Sequence, residues 1–488
     1  LSVRGVSDRG ARGRGWERQL EAFAADLIAR NGIPAAMVAV AQDGEVVYER
    51  GFGHRDAERR RPVTPDTRFG LGSVTKSFPC LAIVQLAEAG TLAIDDPVVR
   101  WLPEFRLPGP DGTTNTPRVT IHHLMTHASG IPPEPSLLHA RAASICADPD
   151  LDRMHPRPMG IPDEIRTWKQ IATYEQLMAL MASQEFRVLG PPGEIISYSN
   201  EGYVLLAAIV ERASGRPFPE YLQECILDPI GMSRTGLYTR ETPPLDPEVI
   251  PFAVDTRSGT REVFPSSAWW DQGSMFGNGG LKSTTQDLLR YLEVYRTGGT
   301  SHGTRVVSAA GVAAMTTPHQ PIPLGGGYGY GLRIKQVDGI GTTVEHGGGN
   351  KGVATHVVVI PERGITAVAL TNLANAPASR LAYAAVNALL DQLPETPWAT
   401  YPEHAVDRAN LWRFVGTYQG QPGLTVRVAE RQGSLYVAVG EELQRARPYA
   451  DGAFLIEAAD EPIQFLTRED GAVWALFHGL RTLRSTVD

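Results

Sequence analysis

Trp16, Leu20, Phe23, Leu27 and Ile28 recur at the spacing of one helix face, which predicts an amphipathic helix over residues 16–30. The period then changes. AMVAVAQDGEVVYERGFG holds two apolar-rich runs on either side of Asp43-Gly44, a dipeptide suited to the two-residue turn of a β-hairpin. Helical patterning dominates from about residue 73 to 295, broken by Pro- and Gly-rich loops. Strand patterning returns in YGYGLRIKQV, GTTVEHGG and ATHVVVIPERGITAVALTN, the last a hairpin across Pro361-Glu-Arg-Gly364, and a helix follows at about 378–392. Strands therefore lie at both ends of this unit and helices fill its middle. One antiparallel sheet drawing on both ends, flanked by helices and with a helical region beside it, is the economical α+β arrangement.

The Pro-rich passage LPETPWATYPEHAVD interrupts the pattern, and a linker is expected over 396–404. Beyond it WRFVGTYQG, LTVRVAERQGSLYVAVG, QRARPYADGAFLIEA and IQFLTREDGAVWALFHGLRTL read as short strands, with turns at Gln432-Gly433, Asp451-Gly452 and Asp470-Gly471. A small C-terminal β-barrel over 405–488 is the expectation. The main domain then spans 16–395, and residues 1–15, with Arg4, Arg9, Arg12 and Arg14 among several glycines and Arg18 just beyond, read as a flexible basic arm.

A length of 488 residues with 42% hydrophobic and 20% charged residues suits a globular protein of two or three domains. A formal net charge of -8 argues against nucleic acid as a partner, because phosphate binding needs clustered basic surface. No apolar run reaches the ~18–20 residues of a membrane span, and the N-terminus shows no apolar signal-peptide core, so a cytoplasmic location is expected. Cys80, Cys146 and Cys225 are too few and too scattered for a disulfide framework or a zinc site. His122, His123 and His127 have ligand-like spacing but no accompanying carboxylate motif; no metal and no cofactor is expected. Trp269 and Trp270 fit either a pocket wall or ordinary packing.

Lysine occurs only at 76, 169, 282, 335 and 351, among 46 basic residues. The first stands in FGLGSVTK, three residues after Ser73, where a loop becomes a helix. Side chains at i and i+3 share a helix face, so Lys76 can reach the Ser73 hydroxyl. Backbone N–H groups at a helix start are unpaired and can receive an oxyanion. Burial would lower the lysine pKa until the neutral amine can take the serine proton, which an arginine cannot do. Taken alone, Ser-x-x-Lys equally describes a helix cap followed by a solvated lysine. A second piece, GPPGEIISYSNEGY, offers Tyr198, a phenol able to relay a proton, and Asn200, an amide able to hold a substrate carbonyl. A third, EHGGGNKG, places His346 as a donor to substrate on a strand and the Gly349 N–H as a second oxyanion donor, its glycines leaving room along the strand edge.

These pieces, in this order, resemble the serine β-lactamase and penicillin-binding-protein superfamily, in its class C β-lactamase-like branch of esterases, D-aminopeptidases and DD-peptidases. The resemblance runs through residues 16–395 in FGLGSVTKSF, VTIHHLMTHASGI, PPGEIISYSNEGYVLLAAIVERASGRPFPEYL, GMSRTGL, GNGGLKSTTQDLLRYL and VEHGGGNKGVATHVVVIPERGITAVALTN. It implies a β-lactamase/transpeptidase-like fold with Ser73 as the acylated nucleophile, Lys76 and Tyr198 as the acid–base pair, Asn200 as a substrate ligand and His346 opening the third motif. It also implies a lipocalin-like C-terminal barrel and, as substrate, a small ester, amide or short peptide. Oligomeric state is left open.

Three departures stand out. His346 replaces the lysine usual in true β-lactamases, Pro79 lies in the nucleophile helix where it is expected to kink the second turn, and residues 131–191 are long enough for a lid. Since histidine is mostly uncharged at neutral pH, simple esters and amides without a free carboxylate, D-aminoacyl amides among them, are the expected substrates. A β-lactamase or DD-peptidase acting on carboxylate-bearing substrates is the alternative reading. A non-catalytic scaffold that kept the fold is another.

Overall fold

The computed structural model describes residues 9–486 except 109–113, 115, 133–135, 156–160, 184–187, 239–245, 267–268, 272, 274, 421–423 and 441. Its frame is an eight-stranded antiparallel sheet. From one edge to the other the strands are Gln320–Pro321, Gly327–Tyr328, Arg333–Val337, Gly341–Asn350, Val353–Ile360, Ile365–Thr371, Ala35–Gln42 and Glu45–Gly53. The two ends of the unit meet where Val38 pairs with Ala369, as the sequence pattern expects. The N-terminal hairpin turns at Asp43 and Gly44, both at positive φ, the geometry that an Asp-Gly pair adopts with least strain.

Both faces of the sheet are covered, which explains why its central strands are nearly all apolar. Ala36, Val38, Val40 and Ala367 face the helices Arg9–Asn31 and Ala378–Leu389, where Leu20, Leu27, Leu381 and Ala385 complete one core. Met37, Ala39, Val357 and Leu370 face the helical region and join the larger core around Phe78, Leu205 and Leu292. The alternation is the period of two that a strand imposes. The first helix begins at Arg9, inside the stretch read as an arm, because arginine continues a helix readily. Residues 1–8 of that arm lie outside the described residues.

Two features of the middle region were not legible. A hairpin, Phe252–Asp255 with Glu262–Pro265, interrupts the helical stretch, and a three-stranded sheet joins Phe69–Gly70, Leu281–Ser283 and Gly236–Leu237. The hairpin packs Ala253 and Phe264 against Leu138, Ile145, Leu151 and Trp270 in a small separate core, whereas Ile131, Ile171, Leu177, Met181 and Val188 of the same 131–191 segment join the larger one. Buried Asp148 in that segment pairs with Lys351 and accepts from the Trp270 indole N–H at 2.7 Å. Trp270 thus packs and hydrogen-bonds here, while Lys282 stands 4.3 Å from the Trp269 ring centre.

Gly416–Gln419, Thr425–Arg431, Ser434–Val439, Gln444–Ala450, Ala453–Ile456, Glu461–Thr467, Val473–His478 and Arg481–Ser485 close an antiparallel barrel in sequence order. Closure leaves no free sheet edge. Its interior is filled by Tyr418, Val426, Phe454, Phe465, Leu476 and Leu483. No described helix is long and apolar enough to cross a membrane.

Candidate active site

Ser73 stands in a single 3₁₀ segment, Gly72–Lys76, which leads into the α-helix Ser77–Glu88. A 3₁₀ turn has three residues, so positions i and i+3 eclipse and the serine and lysine stack more directly than on an α-helix. The helix proper starts at Ser77, which puts Pro79 in its first turn, where backbone N–H groups have no intrahelical partner. Its missing N–H therefore breaks no bond within that helix, so the reason for expecting a kink in a second turn does not apply.

The loop before Ser73 is pinned from both sides. Leu71 donates its N–H to the Leu281 carbonyl at 2.8 Å and accepts from the Thr355 hydroxyl at 2.8 Å. Gly72 has φ +52°, and a Cβ there would lie 2.7 Å from the Gly349 nitrogen. Only glycine allows this approach, and it brings the serine against the strand of the third motif.

Lys76 is fully buried. Its Nζ lies 3.1 Å from Ser73 Oγ, 2.8 Å from Asn200 Oδ1 and 2.7 Å from the Asn278 carbonyl oxygen. Burial, then the positive charges of Arg481 and Arg141, push its pKa well below the ordinary lysine value. As a neutral amine it has two N–H donors and one lone pair. The two carbonyl-type oxygens can take both donors, which leaves the lone pair for the Ser73 hydroxyl proton.

Tyr198 is buried beside Ser73 at the cleft and is held as the phenol by desolvation. Its ring lies 4.7 Å from the lysine nitrogen. Beneath it packs His127, ring centroids 4.2 Å apart. His127 sits at φ +58°, accepts the Ser199 N–H at 3.1 Å and gives its own carbonyl to the Ser197 N–H at 2.9 Å. Burial, then Lys76 and His346, keep it uncharged. Asn200 begins the helix Asn200–Ser214, whose N-cap is Ser199, and its bond to Lys76 leaves its amide N–H groups for a substrate carbonyl.

His346 lies on Gly341–Asn350 just past Glu345, the last residue opposite the neighbouring strand at Arg333. From His346 to Asn350 that edge pairs with no described strand and borders the cleft. The His346 Nδ1–H donates to the Gly347 carbonyl at 2.6 Å, and Nε2, the remaining acceptor, receives the Tyr328 hydroxyl at 2.9 Å. Desolvation lowers its pKa to about 3, so it is neutral. The expected role as a donor to substrate would require displacing one of these partners. Nothing lies within 4 Å of a Cβ built on Gly349, so space opens beside that residue.

The cleft over Ser73 holds about 500 Å³ and is lined by Tyr198, His346, Gly347–Asn350 and, from elsewhere, Arg333 and Arg481. Sequence reading missed these two arginines, the Asn278 carbonyl and Tyr328. GNGGLKST pointed at the first asparagine's neighbourhood, but nothing marks Arg481 in a chain so rich in arginine.

Arg481 belongs to the barrel. Its hairpin turns at Gly479 and Leu480, both at positive φ, and enters the cleft. The Leu480 carbonyl accepts the Tyr198 N–H at 2.8 Å, Thr482 donates its hydroxyl to the Ile196 carbonyl at 2.8 Å, and Arg484 donates to the Leu189 carbonyl at 2.8 Å. An apolar contact of Ile196, Ile322, Tyr328, Phe477 and Leu480 seals the junction. Among the described residues no group of His, Cys, Asp and Glu is placed to hold a metal.

Comparison with known proteins agrees with this architecture. The Beta-lactamase family model matches residues 20–392. Penicillin-binding protein 4* of Bacillus subtilis is 28% identical over 89% of this chain and 90% of its own. Esterase EstB of Burkholderia gladioli is 33% identical over 57% and 69%, and a D-aminopeptidase of Gluconobacter oxydans is 27% identical over 87% and 71%. Among solved structures, the octameric penicillin-binding protein homologue from Pyrococcus abyssi superposes with a TM-score of 0.67 at 28% identity, covering 95% of this chain and 99% of that one. The chain belongs to the Beta-lactamase family, as a serine hydrolase related to esterases and D-aminopeptidases.

Proposed function

We propose that the chain hydrolyses an ester or amide through an acyl-serine intermediate on Ser73. One observation carries the reading: a fully buried lysine whose Nζ has two carbonyl-type acceptors and the Ser73 hydroxyl within 3.1 Å. Lys76 rather than Tyr198 is the base, because burial moves the lysine pKa down towards neutrality and the tyrosine pKa up and away from it.

In acylation the neutral amine takes the Ser73 proton as Oγ bonds to the substrate carbonyl carbon. The oxyanion is met by the N–H groups of Ser73 and Gly349, and Asn200 binds a second carbonyl of the substrate. Tyr198 passes the proton to the departing alcohol or amine, and the bond to it breaks. Water then attacks the acyl-serine, giving its proton back through the same pair and releasing the acid. His346 holds Tyr328 and the strand edge rather than a charge on the substrate, so any anion in the substrate must be met elsewhere.

The test is labelling with a fluorophosphonate, with turnover measured on p-nitrophenyl esters, L- and D-aminoacyl anilides and a chromogenic cephalosporin. Stoichiometric labelling that disappears in Ser73→Ala, together with turnover of at least one ester or anilide, is expected. An unlabelled Ser73 in a folded protein would favour the scaffold reading.

A further inference from the structure

The hairpin that closes the third motif turns at Lys351 and Gly352, between the paired residues Asn350 and Val353. A lysine at a hairpin tip ordinarily reaches into water. This one is 1% exposed, and its ammonium pairs with Asp148 of the 131–191 segment. Asp148 is buried as well, and both its oxygens are engaged. Oδ2 accepts from Lys351 and from the Trp270 indole N–H at 2.7 Å, and Oδ1 accepts the Asp150 N–H at 3.0 Å. A second, weaker link runs alongside. Buried Arg141 of the same segment donates from Nη1 to Asn350 Oδ1 at 3.4 Å, and that oxygen also accepts the Lys351 N–H at 2.9 Å.

The strand that ends in this tip needs an anchor. From His346 to Asn350 its outer edge pairs with no described strand, so only the inner ladder to Val353–Val357 fixes it there. Gly349, the proposed second oxyanion donor, lies in that stretch, two residues before Lys351. Gly347, Gly348 and Gly349 bring no side chains to hold the run in place, and glycine backbone is the freest to move. Yet an oxyanion donor works only from about 2.7–3.1 Å. A buried ion pair resists separation, because parting it leaves two charges out of water. It ties the tip to the 131–191 segment as a solvated lysine could not.

We propose that the 131–191 segment sets the oxyanion donor: Asp148 and Lys351 are positioning residues that hold the Gly349 N–H against the carbonyl oxygen of a substrate on Ser73. Arg141 and Asn350 form a weaker second tie. This rests on the acyl-serine reading, and it gives the segment a part in the chemistry that needs no lid movement.

The test compares p-nitrophenyl butyrate with its thiono analogue, in which sulfur replaces the carbonyl oxygen. Sulfur accepts hydrogen bonds weakly, so oxyanion donors help the thiono ester little. With each kcat/KM divided by the ester's rate of hydrolysis by hydroxide, the native chain should favour the oxo ester. Lys351→Met and Asp148→Asn should each lower kcat/KM for the oxo ester by about 10- to 100-fold, the scale of a small misplacement at the reacting centre. The oxo-to-thiono ratio should shrink by at least about fivefold. Each single change strands one buried charge, so Asp148→Asn/Lys351→Met, which strands neither, is the fold-sparing variant. Since the two residues act as one unit, its ratio should be no smaller than that of the worse single variant. Asn350→Ala, which touches no buried charge, should shrink the ratio about twofold.

A native ratio retained in the double variant and in Asn350→Ala overturns the proposal, even where both esters slow alike, since general loosening of the site slows both. Should the charge variants fail to fold, Asn350→Ala decides by the same criterion. A native ratio near one also overturns it, because no oxyanion donor is then at work. Turnover of both esters with an unmoved ratio sinks this inference alone. No turnover of either with Ser73 unlabelled sinks the acyl-serine reading and this one with it.

Discussion

Lys76 carries opposite consequences for activity and for stability. In its proposed role as base it works only when neutral, so kcat/KM should rise as pH passes upward through its depressed pKa. Lys76→Ala should lower the acylation rate by roughly 10² to 10⁴, the usual share of a positioned acid–base group. Lys76→Arg, which keeps the charge but cannot deprotonate, should be nearly as harmful; single-turnover kinetics would show full activity at once if the base lay elsewhere. For stability the buried lysine is a cost, although the pH trend has the same sign. Between the depressed value and 10.5 the unfolded chain binds a proton at this lysine that the folded chain does not. Stability therefore rises with pH across that window, and the lysine is a burden at its lower end. Lys76→Met should raise the melting temperature at neutral pH by roughly 1–3 °C while abolishing turnover, with the gain shrinking towards pH 10.5. A lower melting temperature in that variant would mean that the bonds to Asn200 and Asn278 outweigh the desolvation.

At this scale the sequence was legible where the partners are neighbours in the chain. Ser73 and Lys76 share one turn, and Tyr198 and Asn200 share another, so spacing alone brings each pair together. What spacing could not show was that the lysine's third partner is a backbone carbonyl at Asn278, since a carbonyl leaves no mark in residue identity. Arg333 and Arg481 escaped for a related reason. Which of the many guanidiniums border the cleft is a property of the folded surroundings.

At the scale of elements, the third-motif strand and the nucleophile loop fit each other through glycines with different duties. A Cβ on Gly348 would fall 1.9 Å from the Leu71 carbonyl oxygen and 2.3 Å from the Thr355 hydroxyl, which hydrogen-bond each other. A Cβ on Gly349 would meet nothing within 4 Å. Gly348→Ala should therefore push Ser73 out of register, costing about 1–3 kcal/mol in denaturant unfolding and most of the fluorophosphonate labelling rate. Gly349→Ala should fold as the native chain does and keep its labelling, because the backbone N–H survives. Equal behaviour of the two variants would contradict the close packing described for this strand. The sheet, both N- and C-terminal hairpins and the barrel turns were legible because their periodicity and turn residues are strong. The hairpin at Phe252–Pro265 was not, since its strands are four residues each and too short to establish a period.

At the scale of the whole molecule, the barrel is a working part of the cleft as well as a separate core. It holds the Tyr198 backbone through Leu480 and the preceding segment through Thr482 and Arg484. A chain ending near residue 400 should keep its sheet and its helical core, yet lose most of its kcat, because the segment carrying Tyr198 loses these bonds and Ile322 and Tyr328 lose their apolar cover. Proteolytic cutting between residues 399 and 407, by contrast, should leave two fragments that co-elute in gel filtration and remain active. Full activity in the truncated chain would show that Tyr198 needs no support from the barrel.

The barrel closes in strict sequence order, and its last hairpin is the one that reaches Ser73. On the ribosome, this makes the nucleophile early and its surroundings late. Ser73 emerges first, then Tyr198, then the third motif, while strand Ala35–Gln42 must wait for Ile365–Thr371 before its open edge is covered. Arg481 leaves the exit tunnel after all of these. A nascent chain can thus carry Ser73 with no finished cleft around it, and it should start turning over substrate only once the barrel has emerged and closed.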